Sequence, residues 1–297
     1  MIAEWMRQMT AFAGREGRRA LRNTWLIVFA ALALLGGALI LHFASPGSSG
    51  FLFLQMQLFL LPLFAVLIGC SSAQEDLEEM PILFSQPLFR SAFLFGKWLA
   101  LTGMLAAVTG LAMGSDAVVG RREPALLILW IHGVALSGVF AALGLVLGVS
   151  WQDRARGLIA SLLTWLALVF GCDALAWLAV QIRIAEQWPT AWVIALSANP
   201  PSVFRVGALL ALKDIPFHVP TSQPATAWLL SHALLLSPAV CVTWIVLTLA
   251  LGSCRLHRGL DADGGLRRIF YRITPAKNPE RPESRLLDSR ARSNCPP

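Results

Sequence analysis

The sequence is short of charge. Only 14% of its residues are Asp, Glu, Lys or Arg, whereas 56% are hydrophobic. Soluble domains carry about 25% charged residues, and the mean hydropathy of this chain is +0.64. The scarcity of charge excludes an ordinary soluble domain and indicates a protein whose solvent is the lipid bilayer.

The sequence also lacks the short motifs of common catalytic sites. Gly96-Lys97 is followed by Trp98, and no glycine stands five residues before Gly96, so this pair is not a nucleotide-binding P-loop. The H-E-x-x-H and G-x-S-x-G motifs do not occur either. We therefore expect a non-catalytic chain that takes its energy from a partner.

Cysteine is scarce and scattered. Cys70, Cys172, Cys241 and Cys254 lie in or beside long apolar runs, and Cys295 is close to the C-terminus. This spacing matches neither a disulfide framework nor a zinc site, so no metal site is predicted.

What the sequence does have is long apolar runs. A helix needs about 20 mostly apolar residues to cross about 30 Å of hydrocarbon while satisfying its own backbone hydrogen bonds. The predicted spans are residues 24–43, 51–70, 98–116, 125–150, 157–180 and 227–254. The sequence therefore predicts an all-α membrane protein with six transmembrane helices.

The basic residues predict the orientation, because cytoplasmic connections retain Lys and Arg. Most of the 24 Lys and Arg residues lie in 1–23, 71–97, 151–156 and after residue 254. Both termini are therefore predicted to be cytoplasmic. We attribute the net charge of +7 to this topology and to anionic lipid headgroups, and expect no nucleic acid partner.

The first and last segments differ in character. Residues 1–23 place apolar side chains at helical spacing among arginines, which predicts an amphipathic helix on the cytoplasmic face, the alternative being an ordinary basic flank. Residues 255–297 are rich in Arg, Pro and Asp, and are expected to form a disordered basic tail. Residues 24–254 form the predicted transmembrane domain between them.

The longest outside connection is predicted for residues 181–227. Within it, Asn199-Pro200-Pro201-Ser202 can begin a helix whose apolar run is too short to cross a membrane. We expect an interfacial or re-entrant helix here, between spans five and six.

Two glycine motifs lie in the predicted spans. Gly110-x-x-x-Gly114 and Gly144-x-x-x-Gly148 have the spacing that lets helix backbones approach closely in lipid. Both predict helix packing, without indicating the partner helix.

Asp173 is the most unusual acid, since it lies midway along span five. An acid at this depth is costly unless it faces a cavity or a partner. With its neighbour Cys172 it could line a path, or it could make a hydrogen bond in helix packing. An intramembrane enzyme using Asp173 with His132 or His232 is a further hypothesis, disfavoured because no paired motif exists.

The loop of residues 71–97 is acidic at its start and apolar afterwards. Glu75, Asp76, Glu78 and Glu79 precede Leu-Phe clusters interrupted by prolines. Anionic headgroups would repel these acids, which weakens the alternative of an interfacial helix on lipid. A short cytoplasmic element inserted into another protein is the favoured interpretation.

These residues resemble a known family. The run "EDLEE" followed by "LFSQPLFRSAFLFGKWLAL" is similar to the loop after the second helix of ABC-2 type permeases, with Met80-Pro81 where the family usually has Gly-Thr. "TWLALVFGCDALAWL" and "ALSANPPSVFRVGALLAL" resemble the permeases of nitrous-oxide reductase maturation (NosDFY) systems. The resemblance covers about residues 1–258.

The resemblance implies a homodimer in the bacterial inner membrane. Each copy would bind a cytoplasmic ABC ATPase (NosF-like), which carries ATP and Mg, while this chain binds no cofactor. The outside surface would dock a periplasmic β-helical protein (NosD-like), and the complex would serve the copper-sulfide centre of the reductase. The implied ATPase-coupling residues are Glu75, Asp76, Glu78, Glu79, Leu83, Phe84, Pro87 and Arg90, and the implied docking residues are Asn199, Pro200, Phe204 and Arg205.

An alternative keeps the same fold and changes the cargo. An ABC-2 exporter of a lipid, a drug or a polysaccharide would have the same spans and the same coupling loop. A neighbouring gene for a periplasmic β-helix protein would distinguish the two.

Overall fold

The computed structural model describes residues 2–45, 48–76, 89–118, 124–151, 153–183, 187–212 and 224–262. All regular structure in these ranges is helical, so the predicted all-α fold is confirmed. The predicted coupling residues between 77 and 88 and the predicted tail beyond 262 lie outside the described residues.

Ten α-helices follow one another along the described chain. They are α1 (Ile2–Ala20), α2 (Thr24–Phe43), α3 (Ser49–Glu75), α4 (Arg90–Val118), α5 (Pro124–Ser150), α6 (Arg154–Leu166), α7 (Cys172–Gln181), α8 (Pro189–Ser197), α9 (Pro200–Ala211) and α10 (Pro224–Ala262). A π-helical turn, Ala167–Gly171, joins α6 to α7.

The predicted number of spans is confirmed. Six helical stretches of the described chain are long and apolar enough to cross a membrane: Thr24–Phe43, Ser49–Glu75, Arg90–Gly114, Ala125–Ser150, Arg154–Gln181 and Ser231–Leu256. They agree with the predicted spans, although the second helix runs further toward the acidic loop than expected. The cytoplasmic location of the termini stays a prediction.

Helices α3 and α5 pack most closely, because glycines remove side chains from their contact. A Cβ atom on Gly144 would lie 2.2 Å from the carbonyl oxygen of Val66, and one on Gly69 would lie 2.6 Å from that of Ala141. Gly114, in contrast, has open space around its missing side chain. The motif on α5 therefore packs α3 and α5 together, and in the motif on α4 a Cβ atom on Gly110 would lie 3.2 Å from Nε1 of Trp130 on α5.

Helix α1 packs its apolar face on α4. The ring centroids of Trp5 and Phe95 are 5.8 Å apart, and those of Phe12 and Phe93 are 5.3 Å apart. The predicted amphipathic helix is confirmed, with a protein surface under its apolar face. We call this part of the bundle, with the end of α3 and the start of α4, the α1 end.

Helix α9 lies at the opposite end and turns its apolar face inward. Phe204 and Ala208 are fully buried, and α9 contacts α3 and α5. The predicted helix between spans five and six is therefore present and is packed into the bundle. We call this part, with α8 and the end of α7, the α9 end.

His132 on α5 makes a polar contact with the last span, α10. Pro238 lies inside α10 and has no N–H, so it cannot donate to the carbonyl of Leu234 one turn earlier. The Nε2 atom of His132 lies 3.0 Å from that carbonyl oxygen, and its Nδ1 lies 2.7 Å from the carbonyl oxygen of Ile128. His132 is thus engaged in helix packing.

Burial divides the spans into two groups. The side chains of α3, α4 and α5 are largely inside the bundle, whereas those of α2, of α6 to α7 and of α10 are mostly exposed. The first group forms the core, and the second presents apolar faces outward.

Candidate coupling site

The residues on both sides of the predicted coupling segment are described. Glu75 is exposed at the last residue of α3, while Asp76, which follows it, is completely buried. Arg90 begins α4 and is half-buried. The five remaining predicted residues lie outside the described chain: Glu78, Glu79, Leu83, Phe84 and Pro87.

Asp76 takes part in a buried ion-pair network centred on Lys97. The Lys97 Nζ donates to Oδ2 of Asp76 at 2.6 Å, to Oε2 of Glu16 at 2.9 Å and to the carbonyl oxygen of Ser72 at 3.1 Å. The side chains of Lys97, Glu16 and Asp76 are at most 3% exposed. Three helices, α1, α3 and α4, therefore meet at one ammonium group.

Two arginines of α1 complete the network. Arg19 pairs directly with Asp76, and NH2 of Arg15 lies 3.5 Å from Oδ1 of the same carboxylate. The hydroxyl of Ser72 donates to Glu16. Because an unpaired charge in the interior is strongly unfavourable, this full set of partners is what permits three ionisable groups to be buried together.

Gly96 lets α1 come close enough for the network to form. A Cβ atom at this position would lie 2.6 Å from the carbonyl oxygen of Met9 and 2.8 Å from Cβ of Phe12. Only glycine leaves that space, and the next residue, Lys97, then reaches Glu16. The Gly96-Lys97 pair thus has a physical explanation as a helix-crossing point followed by its ion pair.

The other side of the segment is also attached to α1. The backbone N–H of Phe89 donates to Oε1 of Gln8 at 3.0 Å, and Nε1 of Trp5 donates to the hydroxyl of Ser91 at 3.0 Å. Residues 76 and 89, which flank the 77–88 segment, are therefore both held by the same helix.

The α1 end is further joined to the last span. Arg90 NH1 donates to the carbonyl oxygen of Leu256 at 3.4 Å, and Arg255 NH1 donates to the hydroxyl of Ser150 at 3.0 Å. The start of α4 and the end of α5 are thus linked to α10.

At the α9 end, the structure brings together two residues that the sequence had placed in different sites. Arg205 NH2 donates to Oδ2 of Asp173 at 2.7 Å, joining α9 to α7. Both side chains are half-exposed, at 31% and 39%. Of the two interpretations of Asp173, this geometry favours a packing interaction, made with an arginine; the path along Asp173 and Cys172 stays a prediction.

Asn199 attaches α9 to the π-helical turn. Its Nδ2 donates to the carbonyl oxygen of Leu168 at 3.0 Å and to the Ser202 hydroxyl at 2.8 Å. Pro200 and Phe204 are buried beside it. These three residues position α9, which leaves Arg205 as the more accessible member of the predicted docking set; the docking role itself stays a prediction.

Glu16 is the site residue that the sequence interpretation missed. It lies among the arginines of α1 and four residues after Phe12, on the face that packs against α4. An acid on the apolar face of a basic amphipathic helix is the signal that could have found it, because such a residue needs a buried cation.

Nothing in the described structure assembles a catalytic or metal centre from the residues of the enzyme hypothesis. His132 is engaged with two carbonyls, and His232 is exposed and stacks on Trp228 with ring centroids 5.0 Å apart. Among the described residues, no group of three or more His, Cys, Asp and Glu side chains could hold a metal ion.

The described residues form a multi-pass membrane protein with six candidate membrane-spanning helices. No protein-family model matches the chain. It is similar to the probable ABC transporter permease protein NosY of Pseudomonas aeruginosa, with 28% identity over 218 residues, which is 65% of this chain and 78% of that protein. This similarity confirms the resemblance to ABC transporter permeases and supports a non-catalytic transporter subunit.

Proposed function

We propose that this permease subunit couples ATP hydrolysis by a separate cytoplasmic ATPase to transport or mechanical transmission across the inner membrane. The observation that supports it most is the attachment of both flanks of the 77–88 segment to α1, at Asp76 and at Phe89. A segment held at both flanks can pass a push from a bound partner to the spans on either side.

The contact with the ATPase is proposed for the 77–88 segment and its exposed neighbour Glu75. Leu83 and Phe84 are the apolar side chains that would enter the partner, and ATP and Mg would be bound by that partner alone. Asp76 is engaged in the ion-pair network, so its contribution would be to fix the segment.

The cargo is proposed from the relative's name and from the sequence motifs. NosY is the name of the similar protein, and we propose that this chain serves the maturation of the copper-sulfide centre of nitrous-oxide reductase. A periplasmic β-helical partner would dock at the α9 end, where Arg205 is half-exposed.

We also propose that the permease works as a homodimer. The apolar faces of α2 and of α6 to α7 are exposed in the single chain, and large exposed apolar side chains such as Leu35, Leu163 and Trp177 are available to lipid or to a second copy. Blue native electrophoresis of the purified permease would test this, since a monomeric mass would contradict it.

Co-purification tests the ATPase coupling. Leu83→Asp with Phe84→Asp in one tagged chain should abolish co-purification of the ABC ATPase and leave membrane insertion intact. Leu21→Asp is the matched control, because Leu21 is an exposed leucine at the same end and outside the segment. Retention of the ATPase by the double variant would contradict the proposed contact.

A further inference from the structure

We propose that α1, the last turn of α3 and the first turns of α4 form one rigid coupling unit, in which Lys97 is the positioning residue. This inference rests on the proposed ATPase coupling and adds α1 to the moving part. The amphipathic helix α1 is then a rigid part of the coupling unit, in addition to any contact it makes with lipid.

The chain on both sides of the 77–88 segment is attached to α1. Asp76 precedes the segment and is held by Arg15 and Arg19 of α1, while Phe89 follows it and is held by Gln8 of the same helix. Gln8 and Arg15 are two turns apart, so α1 bridges the two flanks along its own length.

Lys97 is buried where the three helices of the unit meet. Its ammonium group contacts Glu16 on α1 and both Asp76 and Ser72 at the end of α3, and it is 2% exposed. If one of these helices moved away by a few ångströms, a charge would be left buried and uncompensated. The three helices are therefore expected to move together.

Helices α1 and α4 are in close contact at Gly96. The backbone of α1 lies where a side chain at this position would be, as the 2.6 Å approach to the Met9 carbonyl shows. The flanking aromatic pairs, Trp5 with Phe95 and Phe12 with Phe93, fix the two helices on either side of that crossing. Such interlocked packing leaves little room for sliding.

The unit extends to the first span through a short connection. Helix α1 ends at Ala20 and α2 begins at Thr24, and the Asn23 side chain between them accepts a hydrogen bond from the backbone N–H of Trp25 at 2.9 Å. Displacement of the unit would therefore be transmitted to spans one, two and three at once.

Cross-linking tests the rigid unit directly. In a background without native cysteines, Trp5→Cys and Ser91→Cys would be joined by a short bifunctional maleimide, and the ATP hydrolysis of the co-purified ATPase would be measured in proteoliposomes. Cross-linked permease is expected to keep the activity of the uncross-linked chain within about twofold. A loss of about tenfold would show that α1 must move against α4 and would overturn the inference.

Each single-cysteine variant, treated with the same reagent, is the control for labelling alone.

Lys97→Met supplies the second test. The variant is expected to bind the ATPase with unchanged affinity. The rate of ATP hydrolysis by the bound ATPase is expected to fall about tenfold. Arg156→Gln, which breaks an exposed pair with Asp153 at the start of α6 and outside the unit, should change neither quantity. A rate of ATP hydrolysis equal to that of the wild-type complex would overturn the positioning role of Lys97.

Hydrogen exchange of the permease alone tests whether the three helices of the unit open together. In the wild-type chain alone, the amides of α1, of residues 70–76 and of residues 92–98 should open with one common free energy, and Lys97→Met should lower it for all three. Independent opening of α1 would overturn the rigid unit. Absence of any ATPase complex with the wild-type chain would instead contradict the proposed function, leaving the rigid unit to this exchange result.

Discussion

The two ends of the bundle each carry an ion pair between an amphipathic helix and a span, and the two pairs differ in burial. Lys97, Glu16 and Asp76 at the α1 end are almost completely buried, whereas Asp173 and Arg205 at the α9 end are half-exposed. Buried charges require all their partners in place, whereas pairs that water reaches contribute little and can separate at small cost, and we expect water to reach the half-exposed pair at the α9 end. The comparison teaches that the α1 end is built to be fixed and the α9 end to be adjustable.

The sharpest way to break this comparison is Lys97→Met. The variant leaves Glu16 and Asp76 buried without the ammonium group that lies between them. Loss of one partner of a buried pair costs about 3–5 kcal/mol. We expect a large fall in the thermal unfolding temperature of the detergent-purified chain.

Adding Glu16→Gln to Lys97→Met should recover part of that loss, because the Glu16 carboxylate that loses Lys97 is then neutral, while Asp76 keeps its pairs with Arg15 and Arg19. The double-mutant cycle measures the coupling between the two side chains. Equal stability of the wild type and Lys97→Met would contradict a buried network.

Gly148→Ala tests how strict the geometry of the α1 end is. Its Cβ atom would lie 2.6 Å from the carbonyl oxygen of Cys70 and 2.7 Å from Cβ of Ala73, just before Asp76. Overpacking of this kind costs about 1–3 kcal/mol. Gly114→Ala, at a position with open space, is the matched control and should not destabilise the chain. Similar unfolding temperatures for both variants would contradict the close packing of α3 on α5.

Asn199→Ala tests the attachment of α9. The change removes the hydrogen bond to the Leu168 carbonyl and the one to Ser202. A hydrogen bond contributes about 0.5–1.5 kcal/mol to stability, so a modest fall in unfolding temperature is expected. Hydrogen exchange of α9 should rise while that of α1 stays unchanged. An equal rise in both helices would contradict the separation of the two ends.

Asp173→Asn should have the smallest effect. Ion pairs that water reaches are worth about 0–1 kcal/mol. We expect water to reach the half-exposed sides of Asp173 and Arg205, although Asp173 belongs to span five. The unfolding temperature is expected to change little, in contrast to Lys97→Met. A fall in unfolding temperature as large as that of Lys97→Met would show that the pair at the α9 end stabilises the chain as much as the buried network does.

Much of the fold could be predicted from the sequence because the relevant signals are local. Apolar run length gave the six spans, and helical spacing of apolar side chains gave α1. The same signals could not show which glycines of the two motifs lie at the closest helix contacts. This depends on which helix lies opposite, and Gly144 faces Val66 while Gly114 faces open space.

The site was less predictable because its contacts are distant in sequence. Glu16 and Lys97 are 81 residues apart, and Asp173 and Arg205 are 32 apart. The acidic residues of the loop were recognisable, but sequence does not show that Glu75 faces outward and Asp76 inward. Their separation follows from the end of α3 at Glu75 and from the cations of α1.

The most direct test of the account is where the ATPase touches the permease. A photo-cross-linking amino acid would replace Glu75, exposed at the α1 end, or Trp188, which is 67% exposed at the α9 end. Irradiation of membranes that contain the complex should cross-link the ATPase to the chain through position 75 and not through position 188. Cross-linking through position 188, or through neither, would contradict an ATPase-coupled α1 end.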